Sequence, residues 1–443
     1  MSTSQTVLSR TSQRGSTRKH VLRVLFIPRE PFPTDRVRIN VLFGRELFSR
    51  GHEIDLVMQA ATDVVPTGPH DWHGRTVWVG RTDCRDGMLH RMHKHWLGFR
   101  HDVRFLRLAR RARYDAVLVS DKFITASLAA LIARARGMKF IFWLTFPYQA
   151  ADLDTARAGT ARYPWLASIR GRLAGWLLYR WILPRSDHVF VQSDRMKCDV
   201  CAHGVDPAKV SPIVTGFDLT GISPVNRESQ PADGPSITVA YLGTLNAGRR
   251  LEVLVDMLAL LRSSGVNARL LLVGHAENPR DRLLLEQRAA ERNVTPHLEI
   301  TGFLPQSEAL KRISEAHVGL SPFYPSPILD VASPTKLVEY LALGMPVVAN
   351  DHPEQRLILR ETRAGVCVPW GARHFARAVR WLMSRSRAER AEMGARGRTW
   401  VEQNRTYARI ADDVERTCIE VIARARNDSD CDDRTARSAT RVD

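Results

Sequence analysis

The chain has 443 residues, and its 65 Lys and Arg against 47 Asp and Glu give a formal net charge of +18. With 44% hydrophobic and 25% charged residues, the composition is typical of a folded protein and excludes a largely disordered chain. This length predicts two to four domains of roughly 100–200 residues each. The longest apolar run, residues 173–183, contains Arg180 and is too short to span a membrane, which takes about 20 apolar residues.

The two ends of the chain differ in character from its centre. Residues 1–20 and 427–443 are polar and lack periodicity, so both are predicted to be disordered tails. The first of them has no apolar stretch of signal-peptide length, and we therefore expect a protein on the cytoplasmic side of the membrane. Six scattered cysteines do not predict a disulfide scaffold, and Cys198 and Cys201 lack a second ligand pair for zinc, so no metal is expected.

In the first half of the chain, short β-type runs alternate with helical patterns, which is typical of parallel βαβ units. The first unit has a strand over 21–27, a Pro-rich loop over 28–33, a helix with an apolar face, and a strand over 53–58. The helix face carries Ile39, Leu42, Phe43 and Leu47. Further strands are predicted over 116–119, 140–144 and 188–192. This series predicts an N-terminal Rossmann-like domain over 21–215.

The alternation lapses over 216–236, where three Pro and three Gly interrupt any helical stripe, so this segment is predicted to be an interdomain linker. It then resumes with strands over 237–242, 270–273, 298–301, 318–320 and 346–349, and with helices between them. We therefore predict a second Rossmann-like domain over 237–426, completed by closing helices. The predicted fold class is α/β, with two doubly wound domains that face each other across a cleft.

In such sheets, ligands bind beyond the carboxyl ends of the strands, near the N-termini of helices. One candidate loop is Gly243-Thr244-Leu-Asn-Ala-Gly248-Arg249-Arg250, which follows a strand and precedes a helix. Its glycines allow a close approach of the backbone, and backbone amides together with a guanidinium group suit a diphosphate. The alternative interpretation is a tight turn with arginines on the surface.

A second candidate loop leads into the helix over 336–343. Ser333 is predicted to cap this helix, Pro334 to occupy its first position, and the free amides near Thr335, with Lys336 beside them, to suit a phosphate. Glu339 lies one turn later and could accept hydrogen bonds from ribose hydroxyls. The alternative is an ordinary surface salt bridge between Lys336 and Glu339.

Five segments between Tyr241 and Asn350 carry a family resemblance: YLGTLNAGRRLEVL, LLLVGHAE, ITGFLPQSEAL, AHVGLSPF and SPTKLVEYLALGMPVVAN. In this order they resemble the retaining, nucleotide-sugar-dependent glycosyltransferases of the GT-B fold, in particular the group 4 glycosyltransferases. The segment PTDRVRINVLFGRELFSRGHEIDLV, which contains Asp35 and Arg36, is similar to a variant of the family's first loop, on the acceptor side. The resemblance covers most of the chain between the two predicted tails.

The resemblance implies a role for several residues. Arg249 would pair with the donor diphosphate, and Lys336 and the amides after Pro334 would face the phosphates. Glu339 matches the second acid of the family's paired-glutamate motif, which holds the ribose. The nucleobase would contact the three consecutive residues Gly302, Phe303 and Leu304.

The sequence departs from the family pattern at three places. Thr244 replaces a phosphate-binding Arg, and Val331, with Asp330 beside it, replaces the first glutamate of the pair. The histidine that many members have in an N-terminal loop is not evident in the stretch 142–147. Asp121 follows a predicted strand and is the candidate to meet the acceptor or orient the sugar, its alternative role being to cap the helix that begins near Phe123.

Two basic stretches carry much of the positive charge. Residues 88–113 contain eight Arg or Lys and one Asp, and residues 155–186 contain six Arg and no acid, interleaved with Trp and Tyr. Basic helices with Trp and Leu are typical of a surface that lies on anionic membrane. The alternatives are nucleic acid, for which no motif is present and which we do not expect, and a coding bias, since 57 of the 65 basic residues are Arg.

Together these features predict a peripheral, metal-independent, retaining glycosyltransferase at the inner face of the cell membrane. It would transfer a sugar from a nucleotide diphosphate donor to a lipid-linked or cell-envelope glycan, with domain closure bringing the two together. The catalytic candidates are Arg249, Lys336 and Asp121. Two alternatives stay open: a non-catalytic subunit that binds or scaffolds a sugar nucleotide, and a nucleotide-sugar epimerase of the GT-B fold.

Overall fold

The computed structural model describes residues 21–34, 36–159, 161, 163–220 and 236–439, with side chains up to residue 424. The predicted tail over 1–20, Asp35 of the first loop and residues 221–235 of the predicted linker lie outside the described residues. Two separate, predominantly parallel sheets, each flanked by helices, confirm the predicted α/β fold class. In the described part of the chain, no helix combines the length and apolarity that crossing a bilayer requires.

The N-terminal domain is built on a sheet of eight strands in the order β3-β4-β2-β1-β5-β6-β7-β8. The strands are β1 (Arg23–Ile27), β2 (Glu53–Gln59), β3 (Gly68–Trp72), β4 (Arg75–Gly80), β5 (Ala116–Ser120), β6 (Lys139–Leu144), β7 (His188–Val191) and β8 (Val210–Pro212). The five strands predicted in this half are confirmed. The hairpin of β3 and β4 and the short edge strand β8 were not predicted; the hairpin turns at His73 and Gly74, which both have positive φ.

Helices cover both faces of this sheet. They are α1 (Arg38–Glu46, with π-type hydrogen bonds, continued by Leu47–Ser49), α2 (Met88–Leu108), α3 (Phe123–Ala135), α4 (Tyr148–Arg157), α5 (Pro164–Leu177, continued by a π-type turn over Leu178–Ile182 and by Leu183–Arg185) and α6 (Asp194–Ala202). Val24 and Phe26 pack with α1 on one face, whereas Leu25 and Ile27 pack with the helices of the other. This alternation buries both faces, as a doubly wound sheet requires.

The C-terminal domain has a fully parallel sheet in the order β11-β10-β9-β12-β13-β14. Its strands are β9 (Ile237–Leu242), β10 (Ala268–Val273), β11 (Leu298–Ile300), β12 (Val318–Ser321), β13 (Val347–Asn350) and β14 (Gly365–Val368). Its helices are α7 (Glu252–Ser263), α8 (Pro279–Glu291), α9 (Gln306–Ser314), α10 (Pro327–Asp330), α11 (Thr335–Ala342), α12 (Pro353–Thr362), α13 (Ala372–Met383) and α14 (Arg387–Asn404). The five strands predicted here are confirmed, and β14 is additional.

The last helix, α15 (Tyr407–Ala439), returns to the N-terminal domain. Its buried residues Ile410, Val414 and Cys418 join the core on the α1 face of the first sheet, and Arg50 binds Glu415 at 2.6 Å. The assignment of this whole segment to the second domain was therefore wrong, because the apolar stripe of α15 packs on the first. The backbone of residues 427–439, predicted to be disordered, continues this helix, since extending a formed helix adds one hydrogen bond per ordered residue.

Candidate active site between the two domains

The loops after β9 and β10 approach each other closely at two glycines. The Gly243 amide donates to the Val273 carbonyl at 2.9 Å, and the Leu245 amide donates to the His275 carbonyl at 2.9 Å. A Cβ atom on Gly274 would lie 2.0 Å from the Gly243 oxygen, so no other residue fits there. The two glycines thus fix the backbone of the predicted diphosphate loop at the carboxyl edge of the sheet.

Arg249 lies at the end of a short 3₁₀ turn over Ala247–Arg249 and is partly buried. Its buried Nε atom has no hydrogen-bond partner among the described residues. The guanidinium adjoins Tyr241, whose pKa is raised to about 12 by burial, with Arg249 opposing that rise. The neighbouring Arg250 is exposed, so the alternative of surface arginines holds for Arg250 and is wrong for Arg249.

Lys336, on the first turn of α11, is only 7% exposed. Its Nζ lies 5.3 Å from the ring centroids of Tyr241 and Phe323, and its chain touches the position that a Cβ on Gly243 would take. Burial lowers the pKa of Lys336 well below its ordinary value, the charge of Arg249 lowers it further, and Glu339 opposes both. The alternative of a surface salt bridge is wrong, because this amine is inside the protein.

Glu339 is partly buried one turn along α11. Burial raises its pKa to about 7, and the Lys336 charge opposes that rise. We call Tyr241, Gly243, Arg249, Lys336 and Glu339 the donor-side cluster. It brings together the two loops that the sequence singled out, 93 residues apart in the case of Gly243 and Lys336.

Ser333 does not cap α11 as predicted. The helix begins at Thr335, which is exposed, with Pro334 before it and no side-chain cap. The Ser333 hydroxyl instead accepts a hydrogen bond from the Thr215 amide at 3.1 Å and donates to Glu354 at 3.3 Å. These partners, one from each domain, compete successfully for the hydroxyl, and Ser333 therefore joins the domains.

Val331 explains why the first acid of the family pair is absent. Its side chain is 3% exposed and packs in the apolar core of the N-terminal domain. Its carbonyl accepts from the Ser193 hydroxyl at 2.6 Å. A carboxylate at this position would be buried among apolar groups, whereas valine fits.

Gly302, Phe303 and Leu304 lie at the end of β11, where the resemblance implies the nucleobase site. Gly302 has a φ of +79° and bridges Gly274. The Phe303 ring is 69% exposed and meets the His275 ring edge-on at 5.7 Å, while Leu304 is partly buried. An exposed aromatic ring beside this loop can stack against a base.

A second polar cluster lies at the carboxyl edge of the N-terminal sheet. Asp121, 6% exposed and with a φ of +53°, accepts hydrogen bonds from the Thr145 amide at 2.9 Å and from the Thr145 hydroxyl. Burial raises its pKa to about 6, although these hydrogen bonds oppose the rise. The alternative role as a helix cap is wrong, because the carboxylate binds the loop after β6 and α3 has no side-chain cap.

Glu30, Arg38 and Thr145 complete this cluster and were not singled out in the sequence. Arg38 donates to Glu30 at 2.9 Å and to the Thr145 hydroxyl at 3.1 Å. We call Glu30, Arg38, Asp121 and Thr145 the N-domain cluster. In the sequence, the only indication of this cluster was that Arg38 lies two residues after the candidate Arg36. Arg36 itself is exposed, and its backbone carbonyl accepts hydrogen bonds at the start of α1.

Tyr407, the first residue of α15, is influenced by both clusters. Burial raises the pKa of this tyrosine, and the charges of Arg38 and Glu339 both affect it. The carboxyl edges of the two sheets are joined directly by hydrogen bonds from Ser193, after β7, to the Val331 carbonyl and from the Thr215 amide, after β8, to Ser333.

Solved structures share the fold of this chain. A sucrose-phosphate synthase from Thermosynechococcus elongatus aligns with a TM-score of 0.69 at 16% identity, covering 90% of this chain and 99% of that one. Anabaena HepE in complex with UDP aligns with a TM-score of 0.64 at 15% identity, covering 90% of this chain and 100% of that one. The glycosyltransferase WaaG aligns with a TM-score of 0.59 at 15% identity, covering 88% of this chain and 98% of that one. At these identities the likeness establishes the GT-B fold.

Family profiles match both domains. The profile described as Glycosyltransferase Family 4 matches residues 38–220, and the profile described as Glycosyl transferases group 1 matches residues 223–400. The chain belongs to the GT-B glycosyltransferases. The second match contains the whole donor-side cluster of this glycosyltransferase, and the first contains Arg38, Asp121 and Thr145.

Curated relatives of this glycosyltransferase match over part of their length. The amylovoran biosynthesis glycosyltransferase AmsK of Erwinia amylovora is 23% identical over 203 residues, which cover 44% of this chain and 49% of the relative. WcaL of Salmonella typhimurium, named as a candidate colanic acid biosynthesis glycosyltransferase, is 27% identical over 194 residues, which cover 43% of this chain and 46% of the relative. The chain thus spans about half the length of the curated relatives it matches.

Proposed function

We propose that this glycosyltransferase transfers a sugar from a nucleotide diphosphate donor, bound at the donor-side cluster, to a glycan acceptor at the N-domain cluster. The observation that carries the proposal is the pair of basic side chains beside the Gly243 loop, with Lys336 buried and Arg249 partly buried. Neither has a carboxylate within ion-pair distance among the described residues. Buried cations without counter-charges destabilise a protein, and an incoming diphosphate would supply the missing anion.

The same two cations would stabilise the leaving diphosphate. Negative charge grows on the diphosphate as the bond to the sugar breaks, so fixed positive charge favours the transition state over the ground state. Lys336, held with a lowered pKa before the donor binds, would take up a proton when the phosphates arrive and would keep it during transfer. We therefore propose a metal-independent reaction with retention of configuration, in which Glu339 holds the ribose.

UDP is our first choice of nucleotide for testing. HepE has been solved with UDP, with UDP and glucose, and with UDP-glucose, and it shares the fold of this chain. The exposed Phe303 ring offers a stacking surface for the base. For the acceptor we propose a lipid-linked or cell-envelope glycan, supported by relatives named for colanic acid and amylovoran biosynthesis.

We further propose that α2 and α5 rest on anionic membrane at the inner face of the cell. On α5, Trp165, Ile169, Leu173 and Trp176 are 56–66% exposed at helical spacing. On α2, Met88, Leu89, Met92 and Trp96 are 57–78% exposed. Arginines flank both sets, and such a combination of exposed apolar and basic groups favours anionic lipid over water or nucleic acid.

The test is to incubate purified protein with UDP-, GDP- and ADP-sugars and to measure nucleotide release and transfer to glycan acceptors. We expect one nucleotide class to be consumed and the double variant Arg249→Ala/Glu339→Ala to lose turnover. Activity that survives in the double variant would contradict the site assignment. UDP binding without turnover of any donor would favour the non-catalytic subunit, and interconversion of a free UDP-sugar would favour the epimerase.

A further inference from the structure

A cavity of about 520 Å³ lies where helices α4, α5 and α6 meet the C-terminal domain. Its walls include Leu153 of α4, Val200 of α6, and Pro327 and Ile328 of α10, so both domains contribute to it. This volume falls in the range of about 300–1,000 Å³ that small-molecule sites occupy. The cavity lies outside the donor-side and N-domain clusters.

Most of the lining is apolar, but it includes the buried amide of Gln149 and the carboxylate of Asp199. Gln149 is 5% exposed, and its Oε1 has no hydrogen-bond partner among the described residues, while its Nε2 reaches the Tyr179 hydroxyl only at 3.4 Å. The Asp199 carboxylate on the lining pairs with Arg195 at 3.4 Å. The unpaired amide oxygen is a hydrogen-bond acceptor, so a water or a hydroxyl group of a ligand would satisfy it, whereas a hydrocarbon chain would not.

The lining includes residues close to the cleft and residues of the apolar face of α5. Leu144 directly precedes Thr145 of the N-domain cluster, and Val331 lies two residues before Ser333. Trp176, also on the lining, is 56% exposed and continues the apolar face formed by Ile169 and Leu173. An apolar chain that enters beside Trp176 would therefore lie near residues that adjoin the N-domain cluster.

Charge on this side of the molecule favours an anionic ligand. Residues 155–186 contain six Arg and no acid, and one of them, Arg172, is on the cavity lining. Arginine is well suited to bind a phosphate through parallel hydrogen bonds. The combination of an apolar cavity and a basic rim matches a hydrocarbon chain joined to a phosphate.

We propose that this cavity binds the hydrocarbon chain of a phosphate-linked lipid acceptor and thereby presents the acceptor's sugar to the N-domain cluster. The proposal rests on the transferase function proposed above and specifies its acceptor. It assigns specificity to α4, α5, α6 and α10, which lie apart from the donor-side cluster. Gly175 is central to this assignment, because it lines the cavity and a Cβ there would meet nothing closer than the Gln149 Cγ, at 3.7 Å.

The variant Gly175→Leu tests the proposal, since a leucine fits the helical backbone and would occupy the cavity. The probe is a twelve-carbon alkyl phosphate with a photoreactive diazirine at the chain end, added to the full chain with and without UDP-sugar. After irradiation, we expect labelled peptides from α4, α6 and residues 327–331. We expect Gly175→Leu to reduce this labelling at least fivefold, and the exposed-site control Ala290→Leu on α8 to leave it unchanged.

Other outcomes would overturn the proposal. Labelling confined to the outer face of α5, or labelling that survives Gly175→Leu while UDP affinity stays within twofold of wild type, would exclude the cavity as the chain site. Equal labelling of the lining by a diazirine phosphatidylglycerol in vesicles would make bulk membrane lipid the occupant. If the wild-type protein turned over no UDP-sugar, the transferase function itself would be refuted, whatever the labelling pattern.

Discussion

The donor-side cluster and the N-domain cluster occupy equivalent places, each at the carboxyl edge of a predominantly parallel sheet. They differ in whether their charged side chains have partners within the protein. In the N-domain cluster, Arg38 binds Glu30 and Asp121 binds Thr145, so each charged group has a partner. In the donor-side cluster, Lys336 is buried and Arg249 partly buried, and neither has a carboxylate at ion-pair distance among the described residues. From this difference we expect the C-terminal site to bind an anion and the N-terminal site to bind an uncharged, hydrogen-bonding ligand.

Replacing Lys336 should have the largest effect on activity of the changes that test this difference between the two clusters. We expect Lys336→Met to reduce kcat/KM for the preferred nucleotide sugar by on the order of 10²–10³, because fixed charge at a leaving group contributes this much. The apo protein should unfold no more easily than wild type, since the variant replaces a buried, destabilised amine by an apolar chain of similar length. Steady-state kinetics and urea unfolding measure the two effects.

The control is Lys311→Met, on the exposed side of α9, which should change neither quantity. A Lys336→Met protein with normal kcat/KM would show that the buried amine has no part in transfer. A Lys336→Met protein that unfolds more easily would show that the amine is structurally paired.

Glu339 gives a test based on pH. Its pKa rises to about 7 in the folded protein from the ordinary glutamate value of 4.5, so between these values the folded state binds more protons and its stability falls as pH rises. Glu339→Gln removes this penalty. Its free energy of unfolding relative to wild type should therefore increase by about 3 kcal/mol between pH 4.5 and pH values above 7.

Urea unfolding at pH 4.5, 6 and 8 measures that change, with Glu361→Gln at an exposed site of α12 as the matched control. A constant difference between Glu339→Gln and wild type across this range would mean that the carboxyl titrates normally. The burial of Glu339 in the donor-side cluster would then carry no free-energy penalty.

Asp121 tests the other half of the comparison. We expect Asp121→Asn to lower the rate of transfer to the acceptor on the order of 10²-fold while UDP affinity stays unchanged, because the residue belongs to the N-terminal sheet. Transfer assays and UDP titration separate the two quantities. The variant Thr145→Val provides a second measure, since it removes the hydroxyl that orients Asp121. A parallel loss of UDP affinity in Asp121→Asn would place this carboxylate with the donor instead.

The sequence predicts the donor side better than the acceptor side for a physical reason. Gly243, Arg249, Lys336 and Glu339 all lie within a few residues of a strand end or a helix start, so local patterns are sufficient to find them. The partners of Asp121 and Ser333 lie 24 and 118 residues away in the chain. Nothing in the local sequence indicates which distant hydroxyl or amide will compete for such a group. For this reason the predicted capping role of Ser333 and the alternative capping role of Asp121 were wrong.

A similar limit applies to α15 and to the β3–β4 hairpin. The apolar stripe of Ile410, Val414 and Cys418 identifies a helix but does not indicate which of two similar domains it covers. The hairpin turn is formed by His73 and Gly74, both with positive φ, in a segment without strict alternation of apolar residues. In both cases the position of the element is determined by the sheet against which it packs or pairs.

The outer surfaces of the two domains also differ, and the expected effect of changing them, on vesicle binding, is the smallest. Ile169 and Leu173 on α5 are about as exposed as Leu283 and Leu284 on α8 of the C-terminal domain, but only the α5 pair belongs to a stretch, residues 155–186, that has arginines and no acid. We expect Ile169→Ser/Leu173→Ser to reduce binding to phosphatidylglycerol vesicles about tenfold, because partial burial of two aliphatic side chains contributes roughly 1–2 kcal/mol. Vesicle flotation measures this, and Leu283→Ser/Leu284→Ser should leave binding unchanged.

Added salt should weaken binding of both double variants, since the arginines that attract the lipid remain. An equal loss in both variants would show that binding follows exposed apolar area anywhere on the surface, and the N-terminal domain would have no special membrane face.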